Sequence, residues 1–98
     1  MILGVFDVNE FRKYEGKSEK LKAIAHPHRL CIVKGLLESG CNVTKIQECM
    51  SLPQSTVSQH LAKLKAAGII DGQRKGLEVC YSVVDPEIAD IIRVLFKE

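Results

Sequence analysis

No stretch of the 98-residue chain approaches the ~18 consecutive apolar residues that a membrane-spanning helix requires. The first ten residues, MILGVFDVNE, lack a basic segment ahead of the apolar one and meet Asp7 too early for a secretory signal. A cytoplasmic protein with no membrane partner is therefore expected. There is no CxxC pair, and the four cysteines, Cys31, Cys41, Cys49 and Cys80, are not expected to form structural disulfides in a reducing cytosol. Catalytic signatures are also missing: no GxSxG, no glycine-rich phosphate loop, no HExxH, and no histidine placed beside an evident nucleophile. No enzyme and no cofactor are expected. The most informative absence is local, for no carboxylate occurs between Glu48 and Asp71.

What remains is an ordinary globular composition, 46% apolar and 27% charged. Residues 1–98 make one domain, small enough that a second subunit could supply part of its buried surface. The net charge of +2 is less telling than its distribution: residues 1–24 carry five basic and four acidic groups, 25–76 seven and three, and 77–98 two and five. The basic excess lies in the middle.

Residues 7–25 have Phe11, Tyr14, Leu21 and Ile24 at roughly helical spacing, with Gly16 as a weak point. A second helix runs from Pro27, with Leu30, Val33 and Leu37 as its inner face, to Gly40. A short third helix is expected with Thr44 as its cap and Ile46, Cys49 and Met50 inward. Leu52 and Pro53 then turn the chain into helix 53–67, closed by Gly68. Beyond Gly68 the apolar period changes to two. Leu77, Val79, Tyr81 and Val83 alternate with Glu78, Cys80 and Ser82, which predicts a hairpin over 69–84 turning at Lys75 and Gly76. A last helix begins near Pro86, and its stripe of Ile88, Ile91, Ile92 and Leu95, widened by Val94 and Phe96, is too broad for a lone surface helix.

The segment PQSTVSQHLAKLKAAGII, residues 53–70, carries the functional argument. Val57, Leu61 and Leu64 bury one side, while Ser55, Ser58, Gln59, Ala62 and Ala66 point outward between Lys63 and Lys65. A short helix, a tight turn and a second helix with such a face form a helix-turn-helix, whose second helix enters the DNA major groove. Ser and Gln match base-edge donors and acceptors, Ala permits close approach, and phosphates would repel a carboxylate. Arg74 and Lys75 at the hairpin tip then form a wing that delivers charge to the backbone or minor groove. His60 falls at the edge of the apolar face and is expected to be a boundary residue rather than a base reader.

The segments LKAIAHPHRLCIVKGLL, LPQSTVSQHLAKLKAAGII and RKGLEVCYSV resemble, over most of the chain, the ArsR/SmtB family of bacterial winged-helix repressors. The resemblance implies a mainly α winged helix-turn-helix of order α-α-α-α-β-β-α, dimerising through its first and last helices and repressing from an inverted-repeat operator. Family contacts carried over by position fall on Gln54, Ser55, Ser58 and Gln59, with Thr56 and Lys63 on the same helix and Arg74 and Lys75 on the wing. Pro53 departs from the family pattern, which has a capping Ser there, so the helix start is expected to shift by a residue.

The family's signal-sensing positions give less. Its thiolate box aligns with Asn42, Thr44 and Gln47, and its last-helix carboxylate and imidazole site with Asp85, Glu87 and Glu98, so neither metal site is expected. His26, His28 and Cys31 offer material for a non-standard site, against the plainer reading that His26 caps the helix and His28 is exposed. No metal ligand is assigned. Where relatives pair cysteines between the second and last helices, this chain has Lys34 and no cysteine in its last helix. A thiol switch would need another set, and Cys31, Cys41 and Cys80 are the accessible candidates. The inducer is unassigned. Two alternatives stand beside the repressor: a winged-helix protein–protein interaction module, and a metal-sensing repressor with a non-standard His/Cys site.

Overall fold

The computed structural model describes residues 7–40 and 43–97, and at 43, 45, 46 and 49 the backbone alone. Its elements are α1 (Val8–Ile24), α2 (Pro27–Ser39), α3 (Val43–Met50), α4 (Gln54–Ala66), β1 (Ile70–Lys75), β2 (Glu78–Val83) and α5 (Pro86–Leu95). This is the expected order. No helix among the described residues is long and apolar enough to cross a membrane.

Local chemistry sets most helix boundaries. The Asp7 carboxylate accepts from the Asn9 N–H at 2.9 Å to start α1, which continues through Gly16 without a break. His26 caps α2 through Nδ1, which accepts from the His28 N–H at 3.1 Å, and Pro27 fills the first turn where its missing N–H costs nothing. Asp85 caps α5 by accepting from the N–H groups of Glu87 at 2.9 Å and Ile88 at 3.2 Å. Thr44 does not cap α3. The helix already includes Val43, which puts Thr44 inside its first turn and the capping position outside the described residues. The inward placement expected of Ile46 and Cys49 likewise lies outside the described residues, whereas Met50 packs against the core.

The core joins Ile32, Val33 and Leu36 of α2 to Val57, Leu61 and Leu64 of α4, with Ile69, Ile70, Ile88, Ile92 and Ile24 closing around them. The α2 face is rotated from the expected one, since Leu30 and Leu37 are only partly buried. α2 is packed by α1, α3, α4, α5 and β2, so its buried arc is wider than one stripe and centres on Ile32, Val33 and Leu36. α4 ends in a Schellman arrangement: the Gly68 N–H donates to Lys65 O at 2.9 Å and the Ile69 N–H to Leu64 O at 3.0 Å. Gly68, at φ +75°, takes the left-handed position this closure requires. The next two residues, Ile69 and Ile70, go straight into the core.

β1 and β2 pair antiparallel from Ile70 opposite Val83 to Lys75 opposite Glu78. The turn is therefore Gly76 and Leu77, one residue later than expected. Gly76 has φ +65° and Leu77 does not share it, the pattern of a type II′ turn with glycine first. Leu77 sits at the tip, 98% exposed, and is not part of the inner face on which Tyr81 and Val83 pack against the core.

An ion-pair group ties α1 to α5. Lys20 Nζ lies 2.7 Å from Asp85 Oδ2 and 2.8 Å from Glu87 Oε1, and Lys17 also pairs with Glu87. Elsewhere these two helices leave apolar side chains in solvent: Phe11, Tyr14 and Leu21 of α1, Val94 and Leu95 of α5, and the adjoining Phe96.

Candidate nucleic-acid interface

The turn between α3 and α4 gives α4 no side-chain cap. The Ser51 N–H donates to Gln47 O at 3.0 Å and Ser51 adopts φ +54°, after which half-buried Leu52 anchors the turn on the core. Pro53 has no side chain to cap α4, but its carbonyl accepts from the Thr56 N–H at 3.0 Å and the Val57 N–H at 3.2 Å. The helix starts at Gln54, one residue after Pro53. With no side-chain cap, its first turn presents backbone N–H groups and the positive end of the helix dipole, a combination suited to phosphate.

Burial of Val57, Leu61 and Leu64 fixes the rotation of α4. Gln54, Ser55, Ser58, Gln59, Ala62, Lys63, Lys65 and Ala66 are exposed as a consequence, and Thr56 is half-buried. Arg74 and Lys75 are exposed at the end of β1, beside the turn. A groove runs between the helix pair and the wing, lined by Gln47, Gln54, Ser58, Glu78 and Tyr81 among others. Sequence spacing alone does not place Glu78 there. It lies outside the acid-free sequence window, and only the hairpin register, which sets it opposite Lys75, brings its carboxylate to the edge of this surface.

The remaining candidates separate. Cys31 is exposed on α2, Cys80 is half-buried on β2, and Cys41 lies outside the described residues. His28 is half-buried rather than exposed, and the third side chain gathered with His26 and His28 is His60 of α4, not Cys31. His60 Nδ1 also lies 3.3 Å from Arg29 Nη1, while Arg29 Nε donates to Ala23 O at 2.6 Å. Position 60 is a boundary position, as its angle on the helix implied, but the boundary is shared with two more imidazoles. The sequence held no signal for this, because it depends on how α4 crosses the start of α2.

Residues 26–71 match the model of the arsR family of bacterial regulatory proteins. The chain is 44% identical over 87 residues to the transcriptional repressor PagR of Bacillus anthracis, covering 88% of this chain and 87% of PagR. The PagR crystal structure superposes with a TM-score of 0.76 over 88% of this chain and 99% of that one. The HTH-type transcriptional repressor SmtB of Mycobacterium tuberculosis is 42% identical over 80% of this chain, which spans 58% of that protein. At the level of fold alone, Mb0332 of Mycobacterium bovis, solved as a homodimeric winged helix-turn-helix DNA-binding domain, matches with a TM-score of 0.80 at 22% identity, over 96% of this chain and 86% of that one.

Proposed function

The chain belongs to the arsR family of bacterial regulatory proteins, and from that premise we propose that it is a dimeric transcriptional repressor acting on double-stranded DNA in the cytoplasm. One observation carries the reading: the exposed face of α4 is small, uncharged and hydrogen-bonding, with lysines along it, beside a wing that ends in Arg74 and Lys75. Gln54, Ser55, Thr56, Ser58 and Gln59 then meet base edges and nearby phosphates, while Lys63, Arg74 and Lys75 neutralise backbone charge. Two copies related by a two-fold axis set their α4 helices in successive major grooves, about 34 Å apart, on an inverted-repeat operator. Occupancy of that operator blocks transcription. The exposed apolar side chains of α1 and α5 support dimerisation through those helices.

A thiol-controlled version is the second reading, favoured by the exposure of Cys31 on α2, with Cys41 and Cys80 as the other thiols. Both readings meet one experiment: fluorescence anisotropy of the reduced protein on its own upstream DNA and on scrambled DNA, over a range of salt. Tighter binding to the upstream DNA and a steep fall with salt are expected. Equal, salt-insensitive binding to both would favour a protein-binding winged helix instead. Repeating the titration after mild oxidation or persulfide treatment decides the thiol question, since loss restored by reductant requires a switch and unchanged affinity excludes one.

A further inference from the structure

Among the described residues, His26, His28 and His60 are the group whose potential metal-ligating atoms come together, all within 4.8 Å of one another. Their ring centres are 4.7 Å apart for His26 and His60, 5.3 Å for His26 and His28, and 5.6 Å for His28 and His60. Three imidazoles around a tetrahedral ion at metal–nitrogen distances of about 2.0–2.1 Å put their ring centres about 5 Å apart and their donor atoms about 3.4 Å apart. The ring centres are already at that spacing, so ring rotation closes most of the difference. Two of the side chains flank Pro27, whose ring fixes the backbone at the start of α2, and the third projects from α4, so regular elements present all three. All three are half-buried.

We propose that His26, His28 and His60 bind a borderline divalent cation of the zinc, cobalt and nickel class, joining the start of α2 to α4, with water in the fourth position. Imidazole is the ligand such ions share, and no carboxylate belongs to the group that would favour magnesium or calcium. Arg29 and Lys63 place positive charge near His26 and His60. Those same cations oppose the ion and limit its affinity.

Binding has a structural consequence. His26 Nδ1 accepts the His28 N–H, and His60 Nδ1 faces an Arg29 N–H, so each neutral ring carries its proton on Nε2. An ion bound at Nε2 requires that proton to move to Nδ1, where the ring can no longer accept. Ligation therefore releases the α2 cap and the Arg29–His60 contact without oxidation or net proton loss. Because His60 follows Gln59 on α4, the change reaches the surface proposed to read DNA, and this coupling, unlike the site itself, rests on the repressor reading.

The test uses the full chain, reduced, near pH 7.5, titrated with cobalt(II) and competed with zinc. Expected are one ion per chain, visible d–d absorption without a thiolate charge-transfer band, and long-range proton–nitrogen spectra in which the His26 and His60 protons move from Nε2 to Nδ1. Losing an outer-shell partner of a metal site costs ~10–100-fold in affinity, so His28→Gln and His60→Gln should each cost at least ~10-fold. A thiolate band, affinity unchanged by His28→Gln, or no cobalt bound would overturn the site. His28 neither caps through its ring nor lies on α4, so that variant decides the matter even where His60→Gln fails to fold. DNA binding by the metal-free protein tests the repressor reading alone, and a change in that affinity on adding zinc tests the coupling.

Discussion

Gln59 and Arg74 are both exposed and both polar, but they stand differently toward a duplex. Gln59 lies on a helix whose rotation three buried residues fix, so its amide can be held against one base edge; Arg74 projects near a hairpin turn, where only charge is well placed. Gln59→Ala should cost about 1–3 kcal/mol on the cognate operator and relax base preference, whereas Arg74→Ala should weaken cognate and random DNA alike and flatten the salt slope. Anisotropy with both DNAs at several salt concentrations separates the two. A uniform loss for Gln59→Ala would remove it from base reading. His60 marks the limit of sequence inference at this scale: its edge position follows from periodicity, but its imidazole neighbours come from residues about thirty positions earlier.

Elements add constraints that no single residue shows. In the hairpin, a Cβ at position 72 would lie 2.9 Å from both Tyr81 Cε1 and Val79 Cγ1, so this strand glycine admits a close cross-strand packing. Tyr81 is held against the core, and Gly72→Ala should therefore cost about 1–3 kcal/mol of stability through overpacking, measured by urea unfolding. An unchanged midpoint would mean that the wing packs loosely. The contact between α1 and α5 has its own signature in pH. Lys17 and Lys20 hold Glu87 at a pKa of about 2. Burial alone would raise Asp85, but the Lys20 hydrogen bond and the N–H groups of Ile88 and Glu87 outweigh it and hold it below its ordinary value. Both carboxyls thus have folded values below their unfolded ones of 3.8 for Asp and 4.5 for Glu, so their stabilisation is present above about pH 4.5 and lost as pH falls toward 2. Hydrogen bonds from Lys20 to Asp85 and Glu87 raise its own value above 10.5, and that share is lost only in strong alkali. The urea midpoint should fall below pH 4.5, and Lys20→Met should flatten that acid limb.

As a whole the molecule is longer than one self-contained core needs. Its radius of gyration is 15.7 Å and its extents are 52 × 32 × 21 Å, against about 13 Å for a compact chain of this length. α1 buries Ile24 alone, and Val94 on α5 is 73% exposed, so apolar surface is left over in the two helices proposed to pair. Sedimentation equilibrium should give a dimer at micromolar concentration. Leu21→Glu or Val94→Glu should weaken it at least ~10-fold, because a carboxylate at a buried interface loses its hydration, while the exposed position spares the fold. A monomeric wild type would remove the two-fold operator geometry with it.

By itself the sequence determined the helix order, the inner face of α4, the Gly68 stop and the wing, because each rests on the spacing of apolar residues or on backbone chemistry within a few residues. The tertiary structure decided what depends on elements distant in the chain. Packing by several neighbours recentred α2 on Ile32, Val33 and Leu36; strand register moved the turn to Gly76 and Leu77 and brought Glu78 to the groove; the crossing of α4 over α2 assembled three histidines. Local periodicity fixes which way a side chain faces on its own element. What it faces is set by packing between elements, which no stretch of a few residues encodes.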